Sequence, residues 1–524
     1  MQLVESYRED GKVRQRVVKH VGTAFNSEQL DHVIAIAEQV KKLYEKNVDE
    51  TDINSFIQRE FSKIQGSRSD VLHCQPIKNI VTGIHEVYGE LFDRIGLNQL
   101  MPSSPYSKVL RDIVMAKIAE PSSKRKACLT LESDFDISHP LNSIYRMMDK
   151  VDESFISAMQ KKIADHNAFL LKGRIQVLFY DVTTIYFESF TSDELKRLGY
   201  SKDNKFNQPQ IVFTLLATEE GLPLGYQLFP GNTYEGHTLI SAIKQWKKLY
   251  ADQSFVLVAD SGMLNGINLE FLAQEKIDYI VCARIKGLPK LVKEKILNFK
   301  SELLQKQEGS AFLDLPFKDR RLILSYKMDR AKKDRIDRER AIESLRKKLQ
   351  KSKNPASLIS NYGYKKYIIV DNSSRVALNE EKIEIEAQWD GLHGLITNLK
   401  DAEAQTIYAH YRGLWSIEDA FRINKSDLEI RPIFHWTPKR IEAHIAISYM
   451  AYSCYKGVDF IVNRAKKNFS HRQIHDCLMK AQACIMQDRY TQIQYFMPFE
   501  PTPEVKQIYS AMGLTIQEQS YRIV

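Results

Sequence analysis

The sequence predicts an α/β protein, a mixed sheet carrying a strand-rich insertion, with mostly α-helical regions at both ends. Three observations lead there. After Gly173 short apolar runs follow one another, IQVLFYD, QIVFTLLAT, LGYQLFPG, SFVLVAD and DYIVCAR, with helical stretches at His237 to Leu249 and Asn265 to Gln274 between them. Strands interleaved with helices build α/β sheets. From Ser27 to about Ile64 and from Ile77 to Lys150 apolar residues recur at three and four, as in Val109, Ile113, Val114 and Ile118, which is the helical period. Hydrophobic residues make up 43% and charged ones 27%, with 22 Gly and 16 Pro, a composition that excludes a disordered or fibrous chain.

In chain order, QLVESYREDGKVRQRVVKHVG reads as two short strands joined by Glu9-Asp10-Gly11, a basic hairpin. Helices come next, interrupted at Pro121-Ser122-Ser123 before the cluster Lys124, Arg125 and Lys126. That cluster suits phosphates, and equally a capped, solvated helix start. The α/β pattern stops at about Lys286 and resumes at GLITNL; between them RRLILSYKM and KKYIIVD surround a basic stretch. Helices at about Pro438 to Lys466 and His471 to Met486 end the chain. The length of 524 residues allows two to four domains at ~150 residues each. The expected segments are 1–165, an N-terminal region of hairpin and helices; 166–285, the first part of the core; 286–395, the insertion with its basic helix; 396–460, the second part of the core; and 461–524, a helical tail.

The net charge is +9, and between Arg330 and Lys353 there are 11 Lys/Arg against 4 Asp/Glu. Such local charge fits a polyanion such as nucleic acid, or a solvated helix. The apolar run Ile441 to Tyr455 contains Glu442 and His444 and is shorter than the ~20 residues of a membrane span. Charges in MQLVESYREDGKVRQR leave no apolar signal segment, so a cytoplasmic protein is expected. Cys74, Cys128, Cys282, Cys454, Cys477 and Cys484 show neither CxxC pairs nor zinc spacing, as buried thiols would.

Asp181 ends the run IQVLFYD and Asp260 ends SFVLVAD, the strand ends where α/β sheets place ligands. Either alone could merely cap a turn. Thr183-Thr184 and Ser261-Gly262 leave room beside them. A third carboxylate lies in a helix expected from about Thr406 to Leu428, where Tyr411, Glu418 and Lys425 fall on one stripe with Trp415 and Arg422 beside it. Leu414, Ile417, Phe421 and Leu428 form the packing stripe; a surface pair of Glu418 with Arg422 is the alternative. Three acidic groups without a His or Cys cluster suggest a hard divalent cation, Mg²⁺ or Mn²⁺. Two such ions can serve phosphoryl transfer on a nucleic acid. Glu188 and Glu235 read as surface residues, and Ser201-Lys202-Asp203 and Gly231-Asn232-Thr233 as turns around the site.

The stretches FYDVTTIYFES, LGYSKDNKFNQPQIVFTLLATEEGLPLGYQLFPGNTYEGHTL, VADSGMLNGINLEFL, WDGLHGLITNL and YRGLWSIEDAFRINKS, in this order, resemble DDE transposases of bacterial insertion sequences, the insertion-sequence-four type lineage with the Tyr-Arg-Glu-Lys signature. The resemblance implies a ribonuclease-H-like core with Asp181, Asp260 and Glu418 as catalytic ligands for a pair of Mg²⁺ or Mn²⁺ ions. It implies DNA contacts by Tyr411 and Lys425, joined here by Arg422, and makes Trp389 a candidate to stack on an extruded base or else a core residue. The arginine of the signature is replaced by Leu414. It further implies binding of double-stranded DNA at terminal inverted repeats and at a target, phosphodiester hydrolysis and strand transfer, and a homodimer on paired ends beside the nucleoid. Lys124, Arg125 and Lys126, with Arg14, Arg16 and Lys19, are expected to contact DNA. Two rivals are a carboxylate-pair hydrolase such as a glycosidase, needing no metal, and a transposase-derived DNA-binding protein without catalysis.

Overall fold

The computed structural model describes residues 1–9, 12–24, 27–64, 74–102, 104–173, 175–188, 191–200, 207–249, 254–351, 363–370, 376–465, 468–489 and 491–523. They form two compact units: Met1–Lys78 with Ile485–Phe496 and Tyr521–Val524, and Asn79–Cys484 with Met497–Ser520. In the smaller unit Gln2–Glu9 and Lys12–His20 pair antiparallel; Asp10 and Gly11 of the expected turn lie outside the described residues. Its basic charges are largely answered in place, Arg16 by Glu5 at 2.7 Å, Arg14 by Glu9 at 3.1 Å and Lys19 by Glu50 at 2.9 Å. Helices Ser27–Glu45 and Glu50–Ile64 close a small core around Val40 and Ile53.

The larger unit is built on one eight-stranded sheet: β1 (Val177–Tyr186), β2 (Gln210–Thr218), β3 (Pro223–Pro230), β4 (Val256–Ala259), β5 (Asp278–Cys282), β6 (Ser310–Phe317), β7 (Arg320–Lys327) and β8 (Leu392–Thr397), in the order β3-β2-β1-β4-β5-β8-β7-β6. β2 lies antiparallel between β1 and β3, while β1, β4 and β5 run parallel. These five strands, with only β2 antiparallel to β1, make up the core of the sheet. The insertion's hairpin β6-β7 pairs through β8 with β5 and so prolongs the same sheet.

β1 and β2 are buried almost throughout, because helices cover both faces. Val177, Phe179 and Ile185 of β1 face a cluster containing Ile417 and Phe421. Leu178, Tyr180 and Val182 face the other, with Ile243, Trp246 and Leu272. Three local expectations change. Cys74–Val81 is a strand, not a helix; Pro76 cannot sit in a helix interior and Ile77, Ile80 and Val81 favour a pleated surface. The helix after His471 stops at Lys480 and Gln482–Asp488 is a strand, a short apolar run whose period is ambiguous. Gln494–Pro498 and Tyr521–Ile523 add strands to the expected helical tail. Among the described residues no helix is long and apolar enough to cross a membrane.

Helix α1 (Tyr106–Ala119) packs against the Pro438–Arg464 helix and buries a charge. Asp112 is 2% exposed; His139 Nε2 lies 2.8 Å and His85 Nε2 3.4 Å from its oxygens. Burial alone would raise this carboxyl, but the hydrogen bonds from His85 and His139 outweigh it and hold it below the usual range. A depressed carboxyl stabilises the fold above its unfolded pKa of ~3.9 and loses that contribution as pH falls through the folded value. Asp112→Asn is therefore expected to lose ~3 kcal/mol at pH 7. Thermal unfolding from pH 7 to pH 3 should show the gap between the two proteins closing in acid.

Candidate active site

The parallel pairing of β1 with β4 runs from Val177 opposite Val256 to Tyr180 opposite Ala259. One step further, the same register sets Asp181 beside Asp260, on strands ~4.8 Å apart. Paired residues of parallel strands project to the same face, and two residues back Phe179 and Val258 both lie in the cluster that holds Ile417 and Phe421. Asp181 does not end its strand as expected. β1 continues to Tyr186, since Val182, Thr183, Thr184 and Ile185 pair with β2. It is β4 that ends, so the pair sits where one strand stops and its neighbour goes on. Asp181 Oδ1 accepts from the Val182 N–H at 2.7 Å, and Asp260 caps the turn Ser261–Met263 by accepting from the Gly262 N–H at 2.7 Å. Both side chains are half-buried.

The single helix expected from about Thr406 to Leu428 is three pieces. α2 (Ala404–Arg412) and α3 (Trp415–Arg422) meet at Gly413-Leu414, and a π-turn covers Ile423–Asp427, closed by the Leu428 N–H to Ile423 O at 2.8 Å. The π-turn holds more residues per turn than an α-helix. Lys425 therefore leaves the stripe drawn through Tyr411 and Glu418, and it is half-buried. α3 packs on β1 through Ile417, Ala420 and Phe421. Glu418 is exposed and forms no ion pair among the described residues.

Arg422 does not pair with Glu418. Its guanidinium holds Asp419 Oδ1 at 2.8 Å and Asp427 Oδ2 at 3.3 Å, which ties it to the end of α3. Tyr411, at the end of α2, is half-buried. Burial, the hydrogen-bonded Cys282 thiol and the charges of Asp260 and Glu418 all push its phenol well above the usual tyrosine range. Asp260 and Glu418 thus act on the same hydroxyl, from the strand end and from α3.

One residue taken for surface belongs with the pair. A Cβ placed on Gly262 would lie 2.9 Å from Asp260 Oδ1 and 3.4 Å from Glu235 Oε2. Glu235 is half-buried, and its charge acts with that of Asp181 on the buried Tyr180 phenol, whose pKa is raised by burial first. A lone acidic residue in GNTYEGHTL carried no periodic or spacing signal. Arg284 was also missed; its Nη2 donates to Ser261 O at 2.9 Å, beside Asp260. Glu188 is exposed, as expected. Ser201, Lys202 and Asp203 lie outside the described residues.

Among the described residues no three His, Cys, Asp or Glu side chains stand close enough to cage a metal ion by themselves. The Asp181 and Asp260 carboxylates fit a different site: hard cations such as Mg²⁺ keep several waters and take one or two carboxylates plus substrate phosphate.

Trp389 is buried, 9% exposed, in the second core cluster. Its ring packs in the core and lines a cavity of about 610 Å³ together with Arg330, Lys366 and His393. Lys124, Arg125 and Lys126 open a helix over Lys124–Phe135 that Ser123 caps by accepting from the Lys126 N–H at 3.3 Å. Lys126 pairs with Glu120 and, like Arg125, is exposed, while Lys124 is buried, so the start is capped and solvated except at Lys124. The basic stretch is a helix, Met328–Lys351, with the acids of its own sequence among its ion-pair partners, Glu343 to Lys347 at 3.4 Å for one.

Residues 172–454 match the family model of a transposase DDE domain, and residues 1–52 that of the N-terminal domain of IS1634-family transposases. No curated protein matches the chain. Among solved structures, the piggyBac transposase synaptic complex with hairpin DNA is similar at 10% identity and TM-score 0.37, over 76% of each chain. The Mos1 transposase paired-end complex with left transposon end is similar at 11% identity and TM-score 0.15, over 47% of this chain and 72% of that one. The Mos1 mariner paired end complex with Mn is similar at 10% identity and TM-score 0.15, over 49% and 78%.

The seating of α3 on β1 turns on Gly413, where a Cβ would lie 2.5 Å from Phe179 Cζ. Its φ of −59° suits alanine, so any loss on substitution is steric. Gly413→Ala is expected to destabilise by ~1–3 kcal/mol. Calorimetry should show Phe179→Leu restoring part of that loss in the double variant, as contacting sites couple.

Proposed function

Because the chain belongs to the transposase DDE-domain family of bacterial insertion sequences, with an N-terminal domain of the IS1634 type, we propose that Asp181, Asp260 and Glu418 are its catalytic carboxylates. In this reading Asp181 and Asp260 hold divalent cations, Mg²⁺ or Mn²⁺ and two in number, and Glu418 completes the set from α3. When bound, such ions polarise phosphoryl oxygens and offset charge on the attacking and leaving oxygens. Tyr411, whose phenol stays protonated at any working pH, donates to a DNA phosphate, and Lys425 neutralises a neighbouring one. Arg422, 49% exposed beside its surface pairs with Asp419 and Asp427, adds a further phosphate contact, and Trp389 stays with the core.

The substrate is double-stranded DNA at the element's terminal inverted repeats. Water attacks a phosphodiester at the element boundary; one P–O bond forms, the P–O3′ bond breaks, and the end keeps a 3′-hydroxyl. That hydroxyl then attacks a target phosphodiester and displaces its 3′ oxygen. Arg14, Arg16 and Lys19 of the hairpin contribute to end binding, two protomers hold paired ends, and the protein works in the cytoplasm at the nucleoid.

The observation that supports this reading is the strand register that sets Asp181 beside Asp260 on the face where α3 packs. Labelled duplexes carrying the element's ends, incubated with Mg²⁺, Mn²⁺ or EDTA, test it. Nicking at the boundary is expected with either metal and not in EDTA. Asp181→Ala, Asp260→Ala and Glu418→Ala should each lower it at least ~100-fold, the scale of removing one group that steadies transition-state charge. A variant that cuts like the parent loses its place in the triad. Binding without cutting by the parent would make the chain a DNA-binding derivative, and cutting in EDTA would remove the metals.

A further inference from the structure

Away from the carboxylates, a cavity of about 440 Å³ opens beside the start of the Lys124–Phe135 helix. Two lysines reach it from the packed interior, Lys117 of α1 and Lys124, only 4% and 5% exposed. Lys117 Nζ donates to the Glu429 carbonyl at 3.0 Å. Lys124 has no hydrogen-bond acceptor and no counter-ion among the described residues; burial alone lowers its amine to about 8, and burial with the neighbouring Lys124 charge lowers Lys117 to about 7. His444, 6% exposed, also lines the cavity; its Nε2 faces Ile430 O at 3.0 Å while its Nδ1 has no partner.

Burying ammonium groups without an anion is costly. The one carboxylate among the described residues on the cavity wall, Glu429, is exposed and acts on Lys117 more weakly than burial and the Lys124 charge do, and Lys126 pairs with Glu120. This wall would be satisfied by an anion brought from outside, received at a helix N-terminus. Its surroundings suit a nucleotide: Phe434 on the wall is 61% exposed and nearby Trp436 67% exposed, open aromatic faces of the kind on which bases and sugars stack. Arg431, also on the wall, lies with its guanidinium 5.3 Å over the Tyr186 ring. Tyr186 is five residues along β1 from Asp181, ~16 Å at the usual rise per residue.

We propose that this cavity is a phosphate-binding site for the DNA backbone, separate from the carboxylates, in which Lys117 and Lys124 receive a phosphate flanking the reacting bond and Phe434 lies against the adjoining sugar or base. The proposal rests on the transposase reading only in naming DNA as the source of the phosphate.

The test is fluorescence anisotropy of a labelled end duplex with the full chain in EDTA, where no cutting is asked of the protein. Lys124→Met and Lys117→Met should each raise Kd at least tenfold and flatten the plot of log K against log salt by ~0.9 for the phosphate lost. Melting temperatures at or above the parent's are expected, since methionine removes a buried charge, and they separate lost binding from lost folding. Parental affinity and slope in both variants would overturn the proposal. Millimolar inorganic phosphate that raises the parent's Tm and not that of Lys124→Met, with DNA binding unchanged, would overturn the DNA assignment in favour of free phosphate. Full binding in the lysine variants leaves the catalytic triad untouched, and uncut DNA with intact binding sinks the triad alone.

Discussion

The parallel pairing of β1 and β4 is the constraint on which the candidate site depends. Two aspartates 79 positions apart become neighbours because Val177 to Tyr180 and Val256 to Ala259 share one register. A slip of one residue would send one of them to the opposite face. The register is held by burial: Leu178, Tyr180 and Leu257 belong to one core cluster and Phe179 and Val258 to the other. Either face would lose its apolar contacts on a slip. The site thus inherits its geometry from the most buried part of the molecule.

Against this fixed pair, the third carboxylate arrives on an element with breaks. Gly413 lets the chain approach Phe179 closely, and the π-turn after Arg422 re-aims the residues from Ile423 onward. Glu418 sits between the two irregularities, exposed, on a helix of eight residues whose inner face is apolar. Such a short helix takes its position from packing rather than from its own stability. Tyr411, on the preceding helix, feels the charges of both Asp260 and Glu418 after burial and the Cys282 thiol.

Electrostatics divides the larger unit into two kinds of place. Around Asp181 and Asp260, with Glu235 close by, carboxylates gather and attract cations. Around Lys117 and Lys124, amines are buried with one backbone carbonyl as hydrogen-bond acceptor among the described residues. Surface charge is by contrast mostly answered locally, in the hairpin pairs Arg16–Glu5 and Arg14–Glu9 and in the Arg422 pairs with Asp419 and Asp427. Counting charges along the chain therefore says less about anion binding than asking which of them lack a partner.

The sequence by itself determined the fold class and the strands of the core, because apolar runs and turn residues are local signals, and it offered Asp181, Asp260 and Glu418 as candidates. It also determined the family, through blocks whose order survives without any geometry. Tertiary structure alone decided which strand ends at the site, where the long helix breaks, that Glu235 joins the aspartates, that Arg422 is occupied and Trp389 buried, and that Lys124 faces inward. The reason is the same in each case: partner and depth are fixed by residues far off in the chain, such as Phe179 under Gly413 or Gly262 beside Glu235, and no local pattern carries them.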